Sequence, residues 1–198
     1  MNGGELQPTD PLAALRGATA HQHAILDSGL PLAQIDATLD DYRSHLLMLR
    51  AWLTPIEEWL ARFHDGPQGR DAPPAIPRIE VIDADLASGT LAPSGVPPEP
   101  PDEWPEHASA AYRWGVCYVV EGSQLGGTVL YRRLAEQLAP HPLNYLKGSE
   151  GGPGPRWRAF SEALRQQVRG SEQIGEACAG ACAAFDRILA LRVDQSTR

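Results

Sequence analysis

A chain of 198 residues with 42% hydrophobic content is long enough to enclose one core, and the sequence reads as a single domain over residues 1–198. The formal net charge of −8 argues against nucleic acid and against an anionic membrane surface, since no basic stripe balances the acids. No run of 18 apolar residues or basic-then-apolar leader occurs, and three cysteines are too few for a disulfide framework, so the expected setting is the cytoplasm of a bacterial-type cell.

Residues 1–9 read as a flexible N-terminus. Asp10-Pro11 predicts a helix start, with an acid at the N-cap and proline at the first helical position, where no N–H is required. Leu12, Leu15, Thr19, His23 and Leu26 follow at spacings of three and four and form an inward stripe, with His21 turned outward; Gly29-Leu30-Pro31 ends the helix. Asp40 is the expected cap of a second helix carrying Tyr42, Leu46, Leu49, Leu53, Ile56, Leu60 and Phe63 on one face, and Pro55 predicts a kink in it. Residues 66–105 form a proline-rich irregular excursion within the domain, interrupted by a short helical piece over 79–86.

The third helix is expected over 106–138, stopped by Pro140 and Pro142. A glycine-rich loop over 143–155 leads to a fourth helix over 156–168, with Trp157, Phe160 and Leu164 inward. Ser171 then caps a fifth helix to about 191, with Ile174, Ala177 or Cys178, Ala181 and Phe185 inward. The fold class is all-α, a multi-helix bundle.

The third helix contains Gly122-Ser123-Gln124-Leu125-Gly126-Gly127. Each glycine inside a helix costs about 1 kcal/mol relative to alanine. Such a cluster is tolerated where something approaches the backbone more closely than a Cβ allows. Gly122 and Gly126, four apart, share one face, with Gly127 beside them. The approaching group is a helix, a phosphate or a flat ligand. A phosphate loop lacks support, since neither G-K-[ST] nor G-x-G-x-x-G is present and no second strand partners residues 116–120.

A flat ligand gains support from the first helix. Arg16 precedes His23 by seven residues, which is two turns and about 10.5 Å along the same face. That is the separation between a metal at a macrocycle's centre and an acidic group at its rim, so the pair suits an anionic metalloporphyrin. Cys178 and Cys182, at i and i+4, lie among alanines and glycine and read as a small-residue face for close helix packing. Arg132-Arg133, Arg156 and Arg158 read as solvated charge, with one of the last two available for a ligand carboxylate.

Two of these stretches together resemble a known family. Leu15-Arg16-Gly17-Ala18-Thr19-Ala20-His21-Gln22-His23 resembles the proximal-helix pattern of haem oxygenases, L-[RK]-x-A-T-x-x-x-H. Tyr118-Val119-Val120-Glu121-Gly122-Ser123-Gln124-Leu125-Gly126-Gly127 resembles the distal-helix signature of their bacterial, bacteriophytochrome-associated branch. With Trp157-Arg158-x-Phe160 opening the penultimate helix, the likeness runs over about residues 12–191.

The resemblance implies haem sandwiched between a proximal first helix and a distal third helix. His23 would be the proximal ligand of the haem iron, and Thr19 and Tyr118 would line the pocket. The backbone at Gly122, Gly126 and Gly127 would lie over the other haem face, and Arg16 and Arg158 would meet the propionates. The implied reaction takes O₂ and electrons from an external donor (a ferredoxin, a reductase or ascorbate) and converts haem to biliverdin, CO and ferrous iron. Biliverdin would pass to a bacteriophytochrome. The best-known mammalian members carry an Asp after the first distal glycine to organise proton-delivering water. Here Ser123 follows Gly122, and these two are the expected catalytic positions, since a hydroxyl is both donor and acceptor. The alternative is a non-catalytic haem-binding carrier or sensor of the same fold.

Overall fold

The computed structural model describes residues 10–88, 91 and 103–192. The expected N-terminal tail over 1–9, and residues 89–90 and 92–102 of the proline-rich excursion, lie outside them. The described residues form seven α-helices: α1 (Pro11–Ser28), α2 (Leu39–Leu60), α3 (Arg78–Leu86), α4 (Ala110–Leu134), α5 (Asn144–Lys147), α6 (Gly154–Gln167) and α7 (Gly170–Ala190). Among them no helix is long and apolar enough to cross a membrane.

Side-chain caps start α1, α2 and α4, and the starts of α2, α4 and α7 differ from the sequence reading. Asp10 caps α1 as expected, accepting from the Leu12 N–H. The cap of α2 is Thr38 rather than Asp40. The Thr38 hydroxyl accepts from the Asp41 N–H at 3.2 Å while the Asp41 carboxylate accepts from the Thr38 N–H at 2.9 Å. This reciprocal pair satisfies two orphan donors at once, which Asp40 alone cannot do. Pro55 stays inside α2, which runs unbroken to Leu60. At α7 the cap position is Arg169, and its N–H is taken by the Gln173 side chain at 2.8 Å, so Ser171 lies within the first turn. Ser109 starts α4, later than position 106, by accepting from the Tyr112 N–H. Past Leu134 the chain continues in turns to Pro140. The expected loop over 143–155 contains the short α5.

The architecture is organised on α7. The α4–α7 pair is the most extensive contact in the fold, and α1 lies along another side of α7. Two glycines make the α4–α7 seam. A Cβ on Gly115 of α4 would come within 1.8 Å of the Ala177 carbonyl oxygen, and one on Gly180 of α7 within 2.0 Å of the Tyr112 carbonyl oxygen. The backbones therefore touch, and Ala177, Ala181 and Ala184 complete the small-residue face anticipated around Cys178 and Cys182. Behind this seam α2 supplies Trp52, Leu53 and Ile56 to the core. The Trp52 indole N–H donates to the Ala184 carbonyl at 3.0 Å, tying α2 to α7.

Candidate functional site

Both α1 and α4 pack on α7, and neither packs extensively on the other. Their mutual approach is marked by Tyr118 of α4, whose phenol feels Arg16 and Thr19 of α1. Thr19 is buried and donates its hydroxyl proton to the Leu15 carbonyl at 2.8 Å. Burial pushes the Tyr118 phenol above its ordinary value. Its ring stands 5.6 Å from Trp157 of α6.

His23 is not on the buried stripe. Its side chain is 62% exposed, and beyond Thr19 no residue of α1 is fully buried. The reason is a shift of the contacting face. The Gln22 side chain donates to the Cys182 carbonyl at 3.3 Å and to Asp186 at 2.6 Å, so the second half of α1 meets α7 through Gln22. His23, about 100° further round the helix, then points out beside α7, its ring edge-on to Phe185 with ring centroids 5.8 Å apart. Its Nδ1 lies 2.9 Å from an Asp27 carboxylate oxygen, one turn later. A proton on Nδ1 satisfies that contact and leaves the Nε2 lone pair free to bind. Asp27 was missed in the sequence reading, although its i, i+4 spacing from His23 is a visible signal.

The glycine face of α4 answers the question that the sequence raised. No protein atom lies within 4 Å of a Cβ built on Gly126. At Gly122 the nearest group is the Trp157 indole at 3.7 Å, and at Gly127 it is Leu146 at 3.8 Å, both ordinary contacts. No helix presses on Gly126, so helix packing does not account for it. That role belongs to Gly115 and Gly180. Ser123, beside this face, donates to the Val120 carbonyl at 2.8 Å.

The arginines divide differently from their sequence reading. Arg16 and Arg158 are exposed and have no ion-pair partner among the described residues. Arg156 is not solvated charge: its Nε and Nη2 donate to the two Glu121 carboxylate oxygens at 2.7 and 2.8 Å, and its Nη1 donates to the Pro74 carbonyl. Arg78 completes the group, donating to Glu121 at 2.6 Å. Burial alone would push the Glu121 carboxyl up, but the two guanidiniums outweigh it and hold it below its ordinary value. Arg133 is also engaged, donating to the Ala33 carbonyl at 2.6 Å and to that of Leu32. Cys117, on the far side of α4 from Gly126, faces Gln68, and burial raises its thiol to about 12.

These residues suit a flat, anionic, metal-bearing ring: bare backbone with open space before it, an exposed imidazole with a free nitrogen, and a free cation two turns before that imidazole. A family model described as Heme oxygenase matches residues 10–191. A curated heme oxygenase of Xanthomonas campestris pv. campestris (strain 8004) is 40% identical over 83 residues, covering 41% of this chain and 50% of that protein. The match thus spans about half the length of the curated relative. The fold is similar to a crystal structure of the NO- and CO-bound heme oxygenase from Neisseria meningitidis. The TM-score is 0.67 at 21% identity, covering 92% of this chain and 90% of that one.

Proposed function

The chain belongs to the haem oxygenase family, and we propose that it binds haem between α1 and α4 and cleaves it to biliverdin, CO and ferrous iron. The observation that carries this reading is the glycine face of α4, where a Cβ at Gly126 would meet nothing of the protein, together with the exposed His23 on α1. Haem is the substrate, and when bound it also supplies the iron at which O₂ is activated.

The chain's own residues bind and orient it. His23 offers Nε2 to the iron while Asp27 fixes the other ring nitrogen, which sets both tautomer and ring plane. Arg16, two turns earlier on α1, and Arg158 on α6 take the propionates. The bare backbone at Gly126 would admit the ring's opposite face to van der Waals distance, with Gly122 beside Trp157 and Gly127 beside Leu146 bordering it. Tyr118 and Thr19 close the side where α1 nears α4. Ser123 sits at the edge of this face with a hydroxyl able to hold water or a proton. Electrons come from an external donor such as a ferredoxin or reductase, with ascorbate as a substitute in solution. A bacteriophytochrome is the proposed acceptor of biliverdin. All three cysteines are free thiols, which supports a reducing, cytoplasmic setting.

The test is a spectral titration with hemin, followed by ascorbate or a ferredoxin system in air. A saturable Soret band that His23→Ala alters, and that decays into broad red absorption, supports the reading. A Soret band that persists under reductant makes the protein a carrier or sensor. No Soret band refutes the haem site.

A further inference from the structure

The open space before Gly126 has a built end. Tyr118, Gly122 and Gly126 follow one another at four-residue intervals and form one ridge of α4. The Trp157 indole covers the middle of that ridge. It lies 3.7 Å from a Cβ built on Gly122, and its ring centroid is 5.6 Å from that of Tyr118. One turn further on, about 6 Å along the axis, a Cβ on Gly126 meets nothing. Beyond it Val129, on the same side of the helix, is 66% exposed. The result is a bay with the Gly126 backbone as its floor, an indole across one end and an isopropyl group at the other. On its flank the Gln124 amide donates to the Tyr145 hydroxyl at 2.9 Å, which sets α5 against α4, with Leu146 beside Gly127.

The indole is braced from two directions. Trp157 stacks on Phe160 at 5.9 Å between centroids and 26° between planes, and Phe160 lies 5.3 Å from the buried Trp114. Its neighbour in the chain, Arg156, grips Glu121 through two donors at 2.7 and 2.8 Å. A two-pronged contact fixes direction as well as distance. The start of α6 is therefore bolted to α4 at the residue just before Gly122, the glycine that the indole covers.

We propose that Trp157 is a specificity-determining residue: its indole is the stop that fixes how a flat ring turns in its own plane over Gly126, and so which edge of that ring is opened. The inference rests on the haem reading. The bridging carbons of a haem are spaced evenly round the macrocycle, so position decides among them. On that reading Arg16 and Arg158 hold the propionates through long, exposed side chains, which follow the ring through a range of angles. A braced apolar group at the ring's edge narrows that range, because steric repulsion rises far more steeply with displacement than a charge attraction falls.

The experiment loads the full chain and its Trp157→Ala and Trp157→Phe variants with hemin. Proton NMR of the ferric cyanide complexes reads the in-plane angle from the haem methyl shifts, without turnover. Chromatography of the product formed with ascorbate in air reads which bridge was opened. The parent is expected to give one methyl pattern and one biliverdin isomer in excess. In Trp157→Ala the pattern should move, and the isomer ratio should fall by about fivefold or more. Trp157→Phe, which leaves a smaller ring in the same place, should lie between the two. Weaker hemin binding with an unchanged pattern and ratio makes Trp157 an ordinary wall contact and overturns the proposal, as does a parent that opens several bridges alike. If Trp157→Ala melts too low to be loaded, Trp157→Phe alone must move the pattern; an unmoved one is equally fatal. A parent that binds no hemin, or binds it and never opens it, refutes the catalytic reading on which this one rests. An unmoved pattern in variants of a parent that does turn over refutes this one alone.

Discussion

Replacing Gly126 with alanine separates the cost of this glycine to the protein from its use to a ligand. In the hemin-free chain the new methyl group meets no atom within 4 Å. The substitution therefore delivers the helix-propensity gain of about 1 kcal/mol in the middle of α4. For a domain of this size that is a rise in Tm of about 2–4 °C. In the hemin complex the same methyl projects about 1.5 Å from the backbone into the face where the ring packs. Displacing a close-packed group costs about 1–3 kcal/mol, or about 5- to 150-fold in Kd. Thermal melts without hemin and Soret titrations of both proteins measure the two effects. A lower hemin-free Tm would mean that the face is packed in solution, and an unchanged Kd would mean that haem lies elsewhere.

Gly115→Ala is expected to act in the opposite direction. Its Cβ would fall 1.8 Å from a backbone oxygen that cannot step aside, so the seam must open, at a cost of about 3 kcal/mol or more in urea unfolding. Asp27→Asn removes the carboxylate that orders the His23 ring. Hemin should bind about tenfold or more weakly in a Soret titration, while the hemin-free melt barely changes because both side chains are exposed. Glu121→Gln leaves the buried Arg78 and the partly buried Arg156 against a neutral amide, which should cost about 3 kcal/mol at pH 7. Because the folded carboxyl of Glu121 is held below its ordinary 4.5, its contribution is complete above that value and disappears as pH falls through the lowered one. Melts of the parent should therefore drop on acidification below 4.5, and those of the variant should drop less.

Periodicity and punctuation in the sequence located α1, α2, α4, α6 and α7, because each carries an apolar stripe long enough to read. The short α5 escaped because four residues carry no period. The stretches proposed as proximal and distal stand out in the sequence because their residue types are unusual for a helix: an imidazole near an arginine, and three glycines. The direction in which His23 points was not legible. A stripe at spacings of three and four gives the face of an isolated helix, whereas the supporting contact shifts to Gln22 halfway along α1, a tertiary choice. The same limit explains Arg156 and Arg133, which looked like surface charge and instead bond partners far away in sequence. Tyr145 sat in a segment read as loop, and Glu121 was quoted only as part of a motif. Both owe their place to the meeting of α4 with α3, α5 and α6, which no local pattern encodes.

The two walls of the cleft are mounted on α7 by joints of unequal stiffness. At the α4 joint, backbone lies on backbone through Gly115 and Gly180, with no rotamers there to rearrange. At the α1 joint, the half that bears His23 rests on Gln22, the Cys182 carbonyl and the edge of Phe185, contacts that can break and re-form one at a time. Thermal breathing of the cleft is thus one-sided. On the proposed reading, the stiffer wall is the one that would hold a reacting ring in register, and the half of α1 carrying His23, the proposed iron ligand, is the one free to yield as a rigid planar substrate enters and its opened product leaves. Loading and alignment, which compete when one element must serve both, are divided here between two helices.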